Sequence, residues 1–412
     1  MKVLWFSVTP SLYNNRRNAH NGGGWIESLE RIVRSRSDIE LAVSFLEPGA
    51  LIQKCESNGV LYYPIDVEFK QSVVSKIYKN KHVRADQNLI KQCLSVISDF
   101  KPDLIEIFGS ESAFGLLKEH TSIPIVVHIQ GSLPPYTNAF YPPGYSLADL
   151  VLTNIFNLKL WFRYLLKKVR PNYSVKREEA ILRMNNNFMV RTRWDKALVK
   201  LYNPRCKTYI CSEALRQCFL DAIERWSFKK RDKLIFVSVG SGTFLKGYDL
   251  TLKTANLLVN NTSLDFEWRL CGPTSDDIKQ FERMVGKKAI NIVALGKCSA
   301  DKVRDELLNA DVYIHTAYID NSPNSICEAQ YLGLPIISTY VGGIPSLFQK
   351  CYPTDYFIPA NDPYYLAYLL SSLDESVLVD LSEMNYKVSH ERHNEGVIYN
   401  SLLDCYNDML NL

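Results

Sequence analysis

Two acidic residues, Asp320 and Glu328, stand eight positions apart in the segment "DNSPNSICEAQYLGLP". An apolar, strand-like run precedes them at 311–317 and a second follows at 335–343. This order predicts one strand–helix–strand unit with both acids near the carboxyl end of its first strand. Ligands of parallel sheets bind at that end, and carboxylates there accept hydrogen bonds from hydroxyl groups.

A helix is predicted to begin between these two acids. Ser322 is a preferred N-cap residue, and Pro323 suits the first helical position. The backbone amides of Asn324, Ser325 and Ile326 then have no intrahelical acceptor. Amide donors between two carboxylate acceptors predict a site for a ligand that carries both hydroxyl and phosphate groups.

Two other loops carry groups that bind anions. In "SGTFLKGYDLTLKTANLL" (241–258), Lys246 stands at the start of a helix, where its ammonium and the helix dipole both favour phosphate. The segment "HNGGGWIESLERIV" (20–33) opens a helix with three glycines, which allow the backbone to approach a ligand closely. Taken singly, an ordinary exposed lysine explains Lys246 equally well, and a flexible turn explains the three glycines better than a ligand loop does.

The chain length and the apolar pattern predict two domains. The 412 residues exceed what one hydrophobic core usually serves. Ten short apolar runs alternate with helix-length amphipathic stretches, which predicts two doubly wound parallel sheets facing a cleft. The runs are 2–8, 39–46, 59–65, 103–109, 123–131, 233–240, 266–272, 290–296, 311–317 and 335–343.

The domain boundary is predicted in a charged stretch before the second set of strands. We expect a first domain at 1–225, a second at 226–394, and a final helix at 395–412 that crosses back to the first. The first domain would contain a basic insertion at 131–190. Residues 151–200 alone hold 12 basic and 3 acidic side chains.

Composition and spacing exclude several classes of protein. No run of 18 apolar residues is present, and the first residues do not form a secretory signal. The ten cysteines contain no CxxC pair, which favours reduced thiols in a cytoplasmic protein. His390 and His393 lack acidic or cysteine partners in the sequence, so no metal site is predicted. No GxGxxG is found, which argues against a dinucleotide-dependent dehydrogenase, and no nucleic-acid partner is expected.

Taken together, the three loops resemble those of family 4 glycosyltransferases, which are retaining enzymes with the GT-B fold. "DNSPNSICEAQYLGLP" is similar to their E-x7-E signature, "VGSGTFLKGYDLTLKTA" to their diphosphate-binding loop, and "NGGGW" to their glycine-rich loop. The segment "VRTRWDKALVKLYNPRCKTYICSEALRQCF" resembles bacterial polysaccharide-assembly members of the family. The resemblance covers nearly the whole chain.

The resemblance implies a role for each motif residue. Glu328 would bind the ribose hydroxyls of the donor, Asp320 would lie beside the hydroxyls of the transferred sugar, and Lys246 would hold the diphosphate. The backbone amides at the start of the helix would contact sugar or phosphate. Gly23 and Gly24 would let the first-domain backbone lie against the phosphates. No metal ion or cofactor is implied.

Three positions depart from the family pattern. Asp320 replaces a glutamate and is one methylene shorter. Ser241 stands where an arginine usually contributes a second cation to the diphosphate site, and Gln130 aligns with a common histidine.

The basic side chains of the first half have two explanations each. Arg191, Arg193 and Arg216 either supply phosphate cations in place of the missing arginine or form ion pairs on the domain surface. The basic, aromatic stretch 158–177 suits an anionic membrane surface, and it equally suits a helix packed on its own domain.

The predicted function is therefore a metal-independent, retaining hexosyltransferase, cytoplasmic or peripheral on the inner face of the membrane. It would move a sugar from a nucleotide sugar to a hydroxyl of a glycan or lipid-linked acceptor in surface polysaccharide biosynthesis. The implied mechanism is a front-face displacement in which the leaving diphosphate helps to deprotonate the acceptor. Two alternatives stay open: a nucleotide-sugar 2-epimerase of the same fold, and a catalytically inactive protein that binds nucleotide sugars.

Overall fold

The structure is a computed structural model. It describes residues 1–13, 24–49, 54–66, 79–146, 148–149, 173–348, 350 and 352–411. Gly23 and most of the stretch 158–177 lie outside these residues, so the predictions made for them concern parts of the chain that are not described.

The chain divides into two compact units. The first holds the described residues of Met1–Pro134, Arg170–Arg216 and His393–Leu412, and the second holds those of Pro135–Val169 and Gln217–Arg392. Each unit is built around one sheet, as the two sets of apolar runs predict.

The first unit contains an eight-stranded sheet in the order β3-β4-β2-β1-β5-β6-β7-β8. All neighbouring strands are parallel except β3, which pairs antiparallel with β4. Its strands are β1 (Lys2–Ser7), β2 (Glu40–Leu46), β3 (Cys55–Ser57), β4 (Val60–Ile65), β5 (Leu104–Phe108), β6 (Ile125–His128), β7 (Asn187–Val190) and β8 (Lys207–Ile210).

Successive side chains of β1 point to opposite faces of this sheet, and each face has its own core. Trp5 is buried in one cluster, together with Leu29 and Tyr406. Phe6 is buried in the other, together with Val96. Helices cover both faces, which explains why the central strands are almost wholly apolar. The helices are Gly24–Arg34, Lys79–Phe100, Tyr173–Met184, Arg193–Tyr202 and Glu395–Leu410, with a 3₁₀ helix at Ala113–Glu119.

The last helix, Glu395–Leu410, packs within the first unit. Its Tyr406 hydroxyl donates a hydrogen bond to the buried carboxylate of Glu106 on β5 and accepts one from Trp5 Nε1 at 3.1 Å. The other oxygen of Glu106 lies 2.8 Å from Nδ1 of His128. His128 is fully buried on β6 and belongs to this internal network.

The second unit contains a six-stranded parallel sheet in the order β11-β10-β9-β12-β13-β14. This is the order of a doubly wound sheet, in which the strand order reverses between the two central strands, β9 and β12. Its strands are β9 (Leu234–Val239), β10 (Phe266–Cys271), β11 (Ile292–Gly296), β12 (Val312–His315), β13 (Ile336–Thr339) and β14 (Phe357–Ile358).

Helices connect the strands of the second sheet. Among the described helices, one in each unit begins with a capping box, in which the side chains of the N-cap threonine and an aspartate three residues later satisfy each other's backbone amides. The helices of the second unit are Gln217–Leu220, Tyr248–Asn261, Ser275–Val285, Ala300–Asn309, Asn324–Tyr331, Pro363–Ser371 and Glu375–Arg392, with 3₁₀ helices at Phe244–Lys246, Ile344–Leu347 and Thr354–Tyr356. Leu133–Asn138 is a further short helix, at the point in the chain where the first unit gives way to the second.

The predicted fold class of two doubly wound, mainly parallel α/β domains is confirmed. Each of the ten predicted strands is present, with ends that differ by a few residues. The short strands β3, β7, β8 and β14 were not predicted.

The division of the chain differs from the prediction at two places. The first unit ends at Arg216, nine residues before the predicted boundary at 225. The described residues of 135–149, predicted to belong to an insertion of the first domain, group with the second unit. Contacts explain this: the Phe140 ring lies 6.5 Å from the Phe244 ring, and Lys253 Nζ lies 4.8 Å from the Tyr145 ring.

No helix within the described parts of the chain is long and apolar enough to cross a membrane.

Candidate functional site

Two polar loops of the second unit lie at the point where the strand order of its sheet reverses, between β9 and β12. The loop after β9 contains Ser241 and Lys246, and the loop after β12 contains Asp320. Because β9 and β12 are neighbours in the sheet, their carboxyl ends bring the two loops side by side. In doubly wound sheets this position binds the ligand.

Two hydrogen bonds to backbone carbonyls join the two loops. Tyr318 N donates to the carbonyl of Leu245 at 2.8 Å, and Thr316 Oγ1 donates to the carbonyl of Lys246 at 2.9 Å. Gly247 follows Lys246 directly, and its φ of 69° is in the left-handed region. A Cβ added to Gly247 would lie 1.9 Å from the carbonyl oxygen of Thr316. Only glycine allows this approach, so its presence fixes Lys246 next to the second loop.

Lys246 and Asp320 form an ion pair. The Lys246 ammonium donates a hydrogen bond to Asp320 Oδ2, and His315 Nε2 lies 3.3 Å from the same oxygen. The other oxygen, Oδ1, accepts from the backbone amide of Asn321 at 3.2 Å and from the Tyr136 hydroxyl at 3.3 Å. The structure therefore brings together two of the predicted site residues, 74 positions apart in the sequence.

The ion pair keeps Asp320 charged although it is buried. Burial opposes ionisation, but the nearby charge of Lys246 outweighs it and holds the pKa of Asp320 well below its ordinary value. Burial lowers the pKa of His315. The histidine is consequently neutral near pH 7, and the Lys246 ammonium is the cation that balances Asp320.

The helix Asn324–Tyr331 begins close to this pair, with Pro323 as its N-cap residue. The amide of Ile326 donates to the Pro323 carbonyl at 3.0 Å, so the prediction that this amide is unpaired is wrong. A 3₁₀-type bond at the first turn satisfies it. The amides of Asn324 and Ser325 have no hydrogen-bond acceptor among the described residues.

Glu328 lies one turn into this helix and is 1% exposed. Its negative charge acts on Tyr313, whose hydroxyl donates to Ser325 Oγ at 2.8 Å. Burial of Tyr313, followed by the charges of Asp320 and Glu328, raises its pKa far above the ordinary value. Both acids of the eight-residue spacing therefore act on one buried tyrosine. Ser241 is exposed, with its Oγ 3.4 Å from Thr243 Oγ1.

Comparison with known proteins identifies this part of the chain. The family model described as "Glycosyl transferases group 1" matches residues 221–377, which include both loops and the helix. The match covers 157 of the 412 residues of the chain. The six strands of the second unit's sheet, together with Lys246, Asp320 and Glu328, lie within the matched residues.

Curated relatives match this chain over limited lengths. The phosphatidylinositol N-acetylglucosaminyltransferase GPI3 subunit of Saccharomyces cerevisiae is 29% identical over 124 residues, which cover 30% of this chain and 27% of that protein. The putative teichuronic acid biosynthesis glycosyltransferase TuaC of Bacillus subtilis is 40% identical over 58 residues, covering 14% of this chain and 15% of that protein. The matches thus span well under a third of either relative.

Solved structures match over nearly the whole length. Sucrose-phosphate synthase of Thermosynechococcus elongatus superposes with a TM-score of 0.73 at 12% identity, covering 100% of this chain and 99% of that one. HepE of Anabaena, in complex with UDP and glucose, has a TM-score of 0.63 at 12% identity, covering 99% and 100%. These likenesses establish the GT-B fold for the chain that carries the group 1 domain.

The first unit, outside the group 1 match, holds the remaining predicted residues. Gly24 is the first residue of its helix, and an added Cβ would lie 3.0 Å from Cγ and Cδ of Arg216, so these two predicted residues are in contact. Arg191 is 4% exposed, with its guanidinium carbon 4.0 Å from the centre of the Trp25 ring. Arg193 is exposed at the start of its helix. The three arginines thus have three different environments.

Gln130 follows β6 and lies beside an acid that the sequence did not reveal. An added Cβ at Gly109 would be 2.4 Å from Glu111 Oε2 and 3.9 Å from Gln130 Cδ. Burial, together with the charge of Glu178, raises the pKa of Glu111 to about 7, against the opposing effects of Arg191 and nearby backbone amides. Glu111 comes three residues after β5. Its position just after a buried strand is the feature of the sequence that could have identified it.

The group 1 site also contains residues that no motif indicated. His315 ends β12, and a histidine in an apolar strand was a usable signal. Tyr136 is 184 positions from Asp320, and nothing in the sequence relates the two.

Proposed function

We propose that this protein transfers a sugar from a nucleotide-diphosphate donor to a hydroxyl group of a glycan or lipid-linked acceptor, in the synthesis of a surface polysaccharide. The group 1 domain supports glycosyl transfer. HepE was solved in complex with UDP and glucose, and TuaC is named for teichuronic acid biosynthesis, which support the donor and acceptor classes respectively. The second unit would take the donor and the first unit the acceptor.

One observation carries the proposal: Lys246 is held at the switch point of a doubly wound sheet, beside the start of a helix with two available amides. A lysine ammonium and a helix N-terminus both attract phosphate. Their positions at the ends of β9 and β12 suit a diphosphate that lies across the carboxyl edge of the sheet.

The proposed chemistry depends on stabilising the leaving group. As the bond between the anomeric carbon and the diphosphate oxygen breaks, negative charge grows on the diphosphate, and Lys246 with the amides of Asn324 and Ser325 would stabilise it. The departing oxygen would take the proton of the acceptor hydroxyl, whose oxygen forms the new glycosidic bond. Glu328 would accept hydrogen bonds from the ribose.

Retention at the anomeric carbon and independence of metal ions are parts of the proposal that rest on the family 4 resemblance. NMR of the first product formed from a donor of known anomeric configuration would test retention. Activity that survives treatment with EDTA would support metal independence, and activity that is lost and then restored by Mg²⁺ or Mn²⁺ would contradict it.

A thermal-shift panel of UDP, GDP, ADP, CDP and dTDP tests donor binding. A ligand that binds the folded state raises the melting temperature, and at a hundred times its Kd it adds about 2.7 kcal/mol to the free energy of unfolding. We expect one nucleotide to give a clear shift. No shift with any of the five would contradict the proposal.

Two variants test the site. We expect Lys246→Met and Glu328→Gln to lower turnover of the donor by roughly a hundredfold or more, because each removes a group that binds the charged or polar part of the donor. Lys279→Met is the matched control, since the Lys279 side chain is 68% exposed on the same unit and pairs with an exposed acid. Near-normal turnover by both site variants would contradict the assignment.

Incubating the wild type with the donor alone completes the test. Epimerised nucleotide sugar would identify the 2-epimerase alternative, and nucleotide binding with no turnover of any donor and acceptor pair would identify an inactive binding protein.

A further inference from the structure

The carboxylate of Asp320 is occupied by the protein's own groups. Its Oδ2 accepts a hydrogen bond from the Lys246 ammonium and lies 3.3 Å from His315 Nε2. Its Oδ1 accepts hydrogen bonds from Asn321 N at 3.2 Å and from Tyr136 Oη at 3.3 Å. An ionised carboxylate offers about four acceptor positions. Three donors occupy most of these positions, and the His315 ring lies against Oδ2, so little capacity is left for the hydroxyls of a sugar.

The backbone holds Asp320 in this position. Gly343 N donates to the Asp320 carbonyl at 2.9 Å. An added Cβ at Gly342, whose φ is 53°, would lie 1.9 Å from that same carbonyl oxygen. The loop after β13 therefore packs directly on the Asp320 backbone. Since an aspartate has only one methylene between backbone and carboxylate, a fixed backbone leaves the carboxylate few positions.

The partners of Asp320 are themselves restrained. His315 is 3% exposed, and its Nδ1 lies 3.2 Å from the Tyr313 hydroxyl, which in turn donates to Ser325. Tyr136 belongs to the segment that also places Phe140 against Phe244, two residues before Lys246.

Exposure distinguishes the two members of the ion pair. The Asp320 side chain is 10% exposed, whereas that of Lys246 is 24% exposed. A lysine ammonium has three N–H donors, of which Asp320 takes one. The lysine is therefore the more accessible member of the pair, and its ammonium has donors remaining for a diphosphate.

We propose that Asp320 and Tyr136 are positioning residues, which hold the Lys246 ammonium for the diphosphate and do not bind the transferred sugar. The inference rests on the proposed function and refines it. Tyr136 orients Oδ1, Asp320 fixes Nζ, and the long lysine side chain meets its ligand with fewer conformations to lose on binding. Asp320 is one methylene shorter than the glutamate of the family pattern, and this shorter side chain pairs with Lys246.

The test compares a ligand that has a sugar with one that lacks it. Isothermal titration calorimetry measures the Kd of UDP and of UDP-glucose for the wild type, Asp320→Asn, Lys246→Met and the double variant, with GDP and GDP-mannose as the pair if the panel selects GDP. We expect Asp320→Asn to weaken both ligands by the same factor, about tenfold. In the Lys246→Met background the same substitution should change neither Kd, because the group it positions is gone.

The double variant also guards against misfolding, because it replaces a buried ion pair by two neutral side chains and leaves no unpaired charge. Melting temperatures of all variants are recorded beside the Kd values. Tyr136→Phe should weaken both ligands equally, by about threefold, and Tyr364→Phe is its control because Tyr364 is 72% exposed on the same unit.

Two results would overturn this inference and leave the proposed function in place. Weaker binding of UDP-glucose with unchanged binding of UDP would make Asp320 a sugar ligand. Tighter binding of both by Asp320→Asn would mean that the carboxylate competes with the diphosphate for Lys246. A wild type that binds no nucleoside diphosphate or nucleotide sugar would overturn the proposed function and the inference together.

Discussion

Glu111 predicts a pH dependence of stability that a single substitution removes. Its carboxyl lies beside Gly109 and Gln130, and its pKa is raised from 4.5 to about 7, first by burial and then by the charge of Glu178. The charge of Arg191 opposes this shift. Glutamine at position 111 keeps the shape and the acceptor oxygen and cannot lose a proton.

The sign follows from the direction of the shift. The folded state holds the Glu111 proton more tightly than the unfolded chain, so ionisation favours unfolding. The loss of stability begins as the pH rises through about 4.5 and is complete above about 7. The Glu111→Gln variant has no such loss. Relative to the wild type, it should therefore be more stable at pH 8 than at pH 5.

The magnitude follows from the same two values. A shift from 4.5 to about 7 corresponds to about 3.4 kcal/mol at pH 8, and about 0.8 kcal/mol of it is already present at pH 5. The difference, about 2.5 kcal/mol, is an upper limit, since Glu111 is partly exposed and water screens its surroundings. We expect a measured change of about 1 to 2 kcal/mol.

Urea unfolding at pH 5 and pH 8, followed by circular dichroism at constant ionic strength, measures the free energy of unfolding of both proteins. Costs of the substitution that do not depend on pH cancel between the two conditions. Glu119→Gln is the control for removal of a surface charge, because Glu119 is exposed on the same unit. An equal effect of Glu111→Gln at pH 5 and pH 8 would refute the reasoning.

Two further substitutions test the packing. Gly247→Ala should cost about 3 kcal/mol or more, because its Cβ would overlap the Thr316 carbonyl, while Gly286→Ala, also at positive φ but with open space around it, should cost about 1 kcal/mol; thermal melts compare the two. Tyr406→Phe should cost about 2 kcal/mol in the free energy of unfolding, because it removes a hydrogen bond from the buried Glu106 carboxylate, and an unchanged urea midpoint would contradict this.

The sequence was sufficient for the sheets because their strands are buried on both faces. A run such as "LIEIF" in β5 is apolar apart from Glu106, which has its partners inside the core. The strand β8, "KTYI", escaped prediction because its residues are partly or fully exposed and carry no continuous apolar pattern. Burial, rather than strand geometry, is what the apolar pattern records.

The site was predictable only where its residues are close in the chain. The spacing of Asp320 and Glu328 lies within one strand–helix unit, so local rules locate it. The contact of Lys246 with Asp320 depends on β9 lying next to β12, and strand order is a tertiary property. Tyr136 reaches Asp320 across 184 positions, from a segment whose composition had suggested a different domain.

The position of the helix Glu395–Leu410 has a consequence for synthesis of the chain. The first unit includes both Met1–Pro134 and this last helix, whose Tyr406 and Leu402 complete its core. During synthesis the strands of Met1–Pro134 therefore leave the ribosome before this helix exists, and part of one face of their sheet stays uncovered while the stretch Gln217–Arg392 is made. That stretch has a sheet of its own and can fold first. Strands that are made before the second unit are thus completed only after it, and a ribosome that stalls before residue 395 leaves them open to chaperones and proteases.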